Sequence, residues 1–266
     1  MPADTHRAKR DGRNNSSQQA GEVGIGGEST AGKTMYTRVR FQATCLLLFL
    51  LLAGCARFPE TGQAVSKRLV VQFRVAGQVR PDYHYFLLID NDGDFLGVNG
   101  PVPPVAPPWG GNGFATGSFQ FFVERYGALP FNGFLLYKVL DPDRLQVFQP
   151  LGPPLEATVS ADGKSVRVVI DFGSIARDGQ EPADIRVLQI NIIATDRTPK
   201  DPTDTSLKMW DALGDSRQFP NSYLTIQTDT DRIVRNSDIN LEPAGDVVNG
   251  NDPDLDIVDW QIEVRS

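Results

Sequence analysis

The sequence is short of the residues that most reaction chemistry uses. Its 266 residues include two cysteines, Cys45 and Cys55, and two histidines, His6 and His84. Beyond position 55 no disulfide can form, and zinc sites built on His/Cys ligands are excluded by count. His84 alone is left for a Ser-His-Asp or Cys-His device, and it sits inside a strand-like run. Neither G-x-S-x-G nor H-E-x-x-H occurs. "DFG" at 171–173 has no H-R-D or V-A-I-K to accompany it and reads as a strand end, Asp171-Phe172-Gly173. These shortages argue against an enzyme. A glycoside hydrolase working through two carboxylates stays open as a third-ranked alternative, because Asp and Glu number 33.

Positive charge is scarce as well. The net formal charge is −7, and seven of the 26 Lys/Arg but only four of the 33 Asp/Glu precede Cys55, so the remainder stands at −10. Nucleic acid rewards clustered Lys/Arg and is not an expected partner.

One nucleotide motif is present on paper. In "GGESTAGKT" (26–34), Gly27, Gly32, Lys33 and Thr34 fit G-x-x-x-x-G-K-[ST]. A working phosphate loop needs a buried strand before it and a helix after it. The preceding "RDGRNNSSQQAGEVGIG" is almost devoid of apolar residues, and the stretch beyond Thr34 is no amphipathic helix. The match is read as coincidence, and no nucleotide is expected.

No apolar run is long enough to span a bilayer, which takes about 20 residues. "ATCLLLFLLLAG" (43–54) is shorter, comes after Arg38 and Arg40, and ends in Leu52-Ala53-Gly54-Cys55. This order of basic region, apolar run and cysteine resembles the signal peptide and lipobox of bacterial lipoproteins. The resemblance implies a diacylglycerol on the Cys55 thiol, cleavage before it, and usually a further acyl chain on the new amino group. Several chains on one residue give stable anchoring. The implied location is the bacterial cell envelope, facing away from the cytoplasm, with the membrane held through Cys55. Residues 35–54 are then the signal peptide, with Met35 as the expected start. Residues 1–34 are a polar extension expected to be disordered, whether or not they are translated. Residues 55–66 form a tether.

From 67 to 266 the period is two. Leu69, Val71, Phe73 and Val75 share one face of "RLVVQFRVAG", and "YHYFLLID" (83–90) is apolar on both faces, as a central strand would be. Further strands are read in 117–126, 132–140, 144–151, 155–160 and 184–195, and in 221–229 and 256–265, with Val258, Trp260, Ile262 and Val264 on one side of the last. "ADGK" (161–164) before "SVRVVIDFG" is a hairpin signal. About ten strands and at most one short helix, near "LKMWDALG" (207–214), predict an all-β fold. The expected form is an antiparallel β-sandwich, immunoglobulin-like or jelly-roll. One domain is expected, with two small sandwiches as the alternative.

Three acidic runs interrupt the strands. They supply Asp90, Asp92 and Asp94, then Asp229 and Asp231, then Asp252, Asp254 and Asp256. Oxygen-rich turns of this kind suit calcium, although Asp and Asn also simply make good turns. The first run is no EF-hand, since Phe95 stands at the glycine position and Pro101 at the glutamate position. The longest loop, 97–117, holds five prolines and Trp109. Trp109 either stacks on a sugar ring or partner, or folds back to cap the core.

"FLLIDNDGD" (86–94) and "EPAGDVVNGNDPDLDIVDWQIEV" (242–264) resemble pieces of the DOMON and family 9 carbohydrate-binding sandwich domains. In those domains the LDI-like segment usually comes early, whereas here it is C-terminal. The resemblance implies ligand binding by a sandwich, with calcium as a candidate companion. Haem does not fit, because His84 lies in a buried-looking strand and Met209 is the one methionine after Met35. The expected function is a non-catalytic lipoprotein that binds a glycan or another envelope component. A structural or assembly lipoprotein that contacts other proteins is the alternative.

Overall fold

Alternation makes the first strand a two-faced element. In β1 (Arg68–Val75), Leu69, Val71, Phe73 and Val75 are buried while Gln72 is exposed. β1 is the middle of a five-stranded antiparallel sheet. The other members are β6 (Glu156–Val159), β7 (Ser165–Asp171), β11 (Arg232–Arg235) and β12 (Ile257–Arg265), in the order β11-β12-β1-β7-β6. The computed structural model describes residues 66–94, 99–201 and 203–266. The extension, the signal segment and Cys55 lie outside these residues. Among the described residues no helix is long and apolar enough to cross a membrane.

The second sheet has seven strands. β2 (His84–Asp90), β3 (Phe121–Arg125), β4 (Phe134–Val139), β5 (Phe148–Gly152), β8 (Val187–Thr195) and β10 (Leu224–Gln227) run in the order β10-β8-β2-β3-β4-β5. β9 (Trp210–Ala212) shares the outer edge of β8 with β10. All pairings are antiparallel. The chain is therefore an all-β sandwich, and one core joins both sheets. Phe73, Val168 and Trp260 contribute from the first sheet, and Leu87, Val123 and Ile190 from the second.

The hairpin signal is realised. Ser160 and Ser165 close the β6–β7 turn, with Gly163 at φ +70°, a conformation that glycine adopts without a Cβ clash. Two expectations shift. "LKMWDALG" holds no helix, because Trp210 and Ala212 pack on the outer face of the sheet and Asp211 pairs opposite Ala194. Tertiary pairing overrides the local helical pattern there. In β12 the inward set is Ile257, Trp260, Ile262 and Val264, without Val258. An irregularity in the register opposite Arg74 and Val75 changes the parity at that point.

β2 is buried on both faces, as its composition predicts. Tyr85, Leu87 and Ile89 face the shared core, while Phe86 and Leu88 belong to a second cluster on the outer face of the seven-stranded sheet. Residues 99–119 form much of that cover. Val102 and Thr116 bridge, and Trp109, Phe114, Ala115 and Phe119 are buried against the sheet.

Candidate functional site

The acidic runs singled out in the sequence are turn-builders. Asp90 Oδ1 accepts from Asp92 N (2.9 Å), and Asp92 Oδ1 from Asp94 N (2.8 Å). Asp252 Oδ1 likewise accepts from Asp254 N (3.0 Å), while its Oδ2 takes the Tyr83 hydroxyl (2.6 Å). Asp254 Oδ1 accepts from Gln78 N, and Asp231 Oδ1 from Ser266 N. Asp229 lies 3.8 Å from Arg232. The runs do not converge. Asp90 ends β2, whereas Asp252 and Asp254 bond to residues at and before its start. Among the described residues, none of the three runs forms a group of three side chains placed to share an ion.

Trp109 is also not where a sugar platform needs it. It is 1% exposed, its Nε1 donates to Ser206 O (3.2 Å), and the Lys208 ammonium sits 5.1 Å from the ring centroid. An indole buried on both sides offers no face to a ligand, so the capping alternative describes this residue and the stacking role does not.

The outer face of the seven-stranded sheet carries a different aromatic site, built by register. Phe86 on β2 pairs with Glu124 on β3, and Phe122 on β3 pairs with Tyr137 on β4. Residues two apart in β3 share a face, so Phe122 and Glu124 lie side by side. Phe122 and Tyr137 stack with centroids 4.7 Å apart, and Phe148 meets Phe122 edge-on at 4.9 Å. Phe114 from the covering segment stacks on Phe86 at 4.0 Å. Phe86, Phe114 and Phe122 are buried, and the half-buried Tyr137 and Phe148 present the aromatic surface of a small pocket of about 110 Å³ whose polar lining includes Glu124, Thr198 and Lys200. Glu124 Oε1 lies 2.8 Å from His84 Nδ1, and the His84 ring stacks on Tyr126 at 4.2 Å, so the carboxylate is held in orientation. Burial, helped by the Glu124 charge, pushes the Tyr137 hydroxyl up to about 12, which keeps it a neutral donor. The sequence does show this site's aromatic parts in "FQFFVERY" and "FLLYKV", but the pairing that gathers them needs the fold.

A second constellation escaped the sequence reading. Asp211 on β9 and Glu242 and Asp246 in the segment before β12 are all buried, and each offers an oxygen within 4.8 Å of the others. Gly214 N donates to Glu242 Oε2 (2.9 Å), Ser216 N to Asp246 Oδ2 (2.7 Å) and Ile257 N to Asp211 Oδ2 (2.7 Å). Burial, and then the neighbouring carboxylates, push Glu242 up to about 10 and Asp211 well above the usual carboxylate range. Burial lifts Asp246 to about 6. Asp256 lies close by, with Oδ1 accepting from Gly245 N (2.8 Å). The available signal was an acid at an apolar position, Asp211 between Trp210 and Ala212.

Comparison with protein-family models, with curated proteins and with solved structures gives no match for this chain.

Proposed function

We propose that the chain is a lipid-anchored envelope lipoprotein whose sandwich binds a glycan at the outer face of the seven-stranded sheet, without transforming it. The anchor rests on the basic region, apolar run and Leu52-Ala53-Gly54-Cys55. The binding reading rests on one observation: the pocket pairs aromatic rings with a charged and hydroxylated rim. A sugar presents apolar C–H faces and hydroxyl edges, and Tyr137 and Phe148 with Glu124, Thr198 and Lys200 match both. Its lining holds one carboxylate, whereas carboxylate-pair hydrolysis uses two flanking the scissile bond.

The test is retention of the full chain, in detergent, on a panel of envelope and plant polysaccharides. Wild type is retained on one glycan class, and Lys200→Ala and Tyr137→Ala reduce that retention. No retention on any glycan refutes the binding reading. Cys55→Ser tests the anchor separately, and the variant is expected to leave the membrane fraction.

A second reading has its own support. Leu140, Val147, Leu151 and Leu155 are each 43–53% exposed around the edge strand β5. An apolar strip beside an open edge suits contact with another envelope protein. Photo-crosslinking from position 151 in intact cells that traps a single envelope partner supports it, and the absence of any adduct rejects it.

A further inference from the structure

We propose that Asp211, Glu242 and Asp246 hold one calcium ion, which ties β9 to the segment leading into β12. This goes beyond glycan binding and does not depend on it.

Three carboxylates are enclosed together, with oxygens within 4.8 Å of one another. Among the described residues, none of the ion pairs involves any of them. The neighbouring Arg217 spends its guanidinium on Val247 O, Gly250 O and Asn251 Oδ1. Backbone amides take one oxygen of Glu242 and one of Asp246, and both oxygens of Asp211, from Ala212 N and Ile257 N, which fixes the three carboxyl groups in place. Glu242 Oε1 and Asp246 Oδ1, on residues more than nine-tenths buried, have no hydrogen-bond partner.

Protons do not resolve this arrangement. One proton shared between two of the carboxylates would pair two oxygens and leave the third acid of the cluster charged or with an unpaired donor. A buried donor without an acceptor is as costly as the bare oxygen. A cation satisfies Glu242 Oε1 and Asp246 Oδ1 at once and offsets the clustered charge.

The donor set selects the ion. It is all oxygen, with no imidazole or thiolate, so it suits a hard cation rather than zinc or copper. The three acids come from a strand and an irregular segment, and Glu242 lies just beyond a residue of opposite curvature, Asn240 at φ +49°. Calcium tolerates such irregular geometry and fills its remaining positions with water or carbonyls, whereas magnesium demands a near-ideal octahedron.

The experiment strips the full chain in detergent with chelator and titrates calcium by calorimetry. One ion per chain is expected. Its melting temperature should rise by about 5–10 °C at calcium near 100 times the dissociation constant. Glu242→Gln and Asp246→Asn should each weaken binding at least tenfold, while Asp92→Asn and Asp254→Asn, in the turn-building runs, leave it unchanged. If the cluster variants fail to fold, wild type alone decides through terbium luminescence sensitised by the adjacent Trp210 and quenched by calcium. No calcium uptake and no terbium signal overturn the site. Binding unchanged in a folded Glu242→Gln overturns the ligand set, and preference for magnesium at equal concentration overturns the choice of ion.

Discussion

Replacing Trp109 with alanine should destabilise the sandwich strongly. The side chain is 1% exposed and lies in the outer cluster with Phe86, Phe114 and Trp210. Core Trp→Ala changes cost about 3–5 kcal/mol, through lost transfer energy and the cavity left behind. Two further contacts go with it: the indole N–H bond to Ser206 O and the cation–π contact from Lys208, each worth about 1 kcal/mol. The covering segment, though, lies near the surface and can partly collapse into the gap. The expected loss is therefore ~4 kcal/mol, and the melting temperature should fall by about 8–16 °C at this domain size. Urea unfolding monitored by circular dichroism measures it, with the slope against urea held as the check that the unfolded state is unchanged. A loss below about 1 kcal/mol would refute the burial argument. If such a variant also lost polysaccharide retention, Trp109 would be a ligand contact after all.

The other predictions concern the same cover. Gly113→Ala should cost about 2–4 kcal/mol in the same urea assay, because φ is +87° and a Cβ would stand 2.4 Å from the Thr198 carbonyl carbon. Burial lowers the Lys208 ammonium from 10.5 to about 7, although Gly113 O accepts from it at 2.7 Å. Between about pH 7 and 10.5 the unfolded chain holds a proton that the folded chain has released. The Lys208 contribution to stability should therefore rise with pH across that window, by up to ~1.4 kcal/mol per unit, and level off below about pH 7, where both states hold the proton. Denaturation curves of wild type and Lys208→Met at pH 7 and pH 9 check this, and an equal pH dependence in the two proteins refutes it. Lys200→Ala, at an exposed rim position, should change stability by less than about 0.5 kcal/mol while lowering glycan retention.

Much of the sandwich is legible because strands advertise themselves locally. β1 alternates, β2 is apolar on both faces, and Asp162-Gly163 marks the turn between β6 and β7. What is illegible is whatever a distant partner decides. β9 is three residues inside a helical-looking run, and its pairing with β8 supplies the strand identity. β11, "RIVR", is four residues long and takes its place from β12.

The acidic residues sharpen the same distinction. Asp90, Asp92 and Asp252 were visible because they lie at turn spacing, two residues before an amide they can bond, and that bond is what occupies one of their oxygens. Spacing that makes an acid conspicuous in a sequence thus marks it as a builder of its own turn. Asp211, Glu242 and Asp246 show the reverse. More than 30 positions separate Asp211 from the other two, so no window of the chain displays them together. Their trace is a carboxylate set among residues that otherwise belong to a core, in "MWDALG" and in "PAGDVV". For a β-sandwich whose contiguous motifs are spent on its own turns, an acid in an apolar run is the better guide to where folding has concentrated charge.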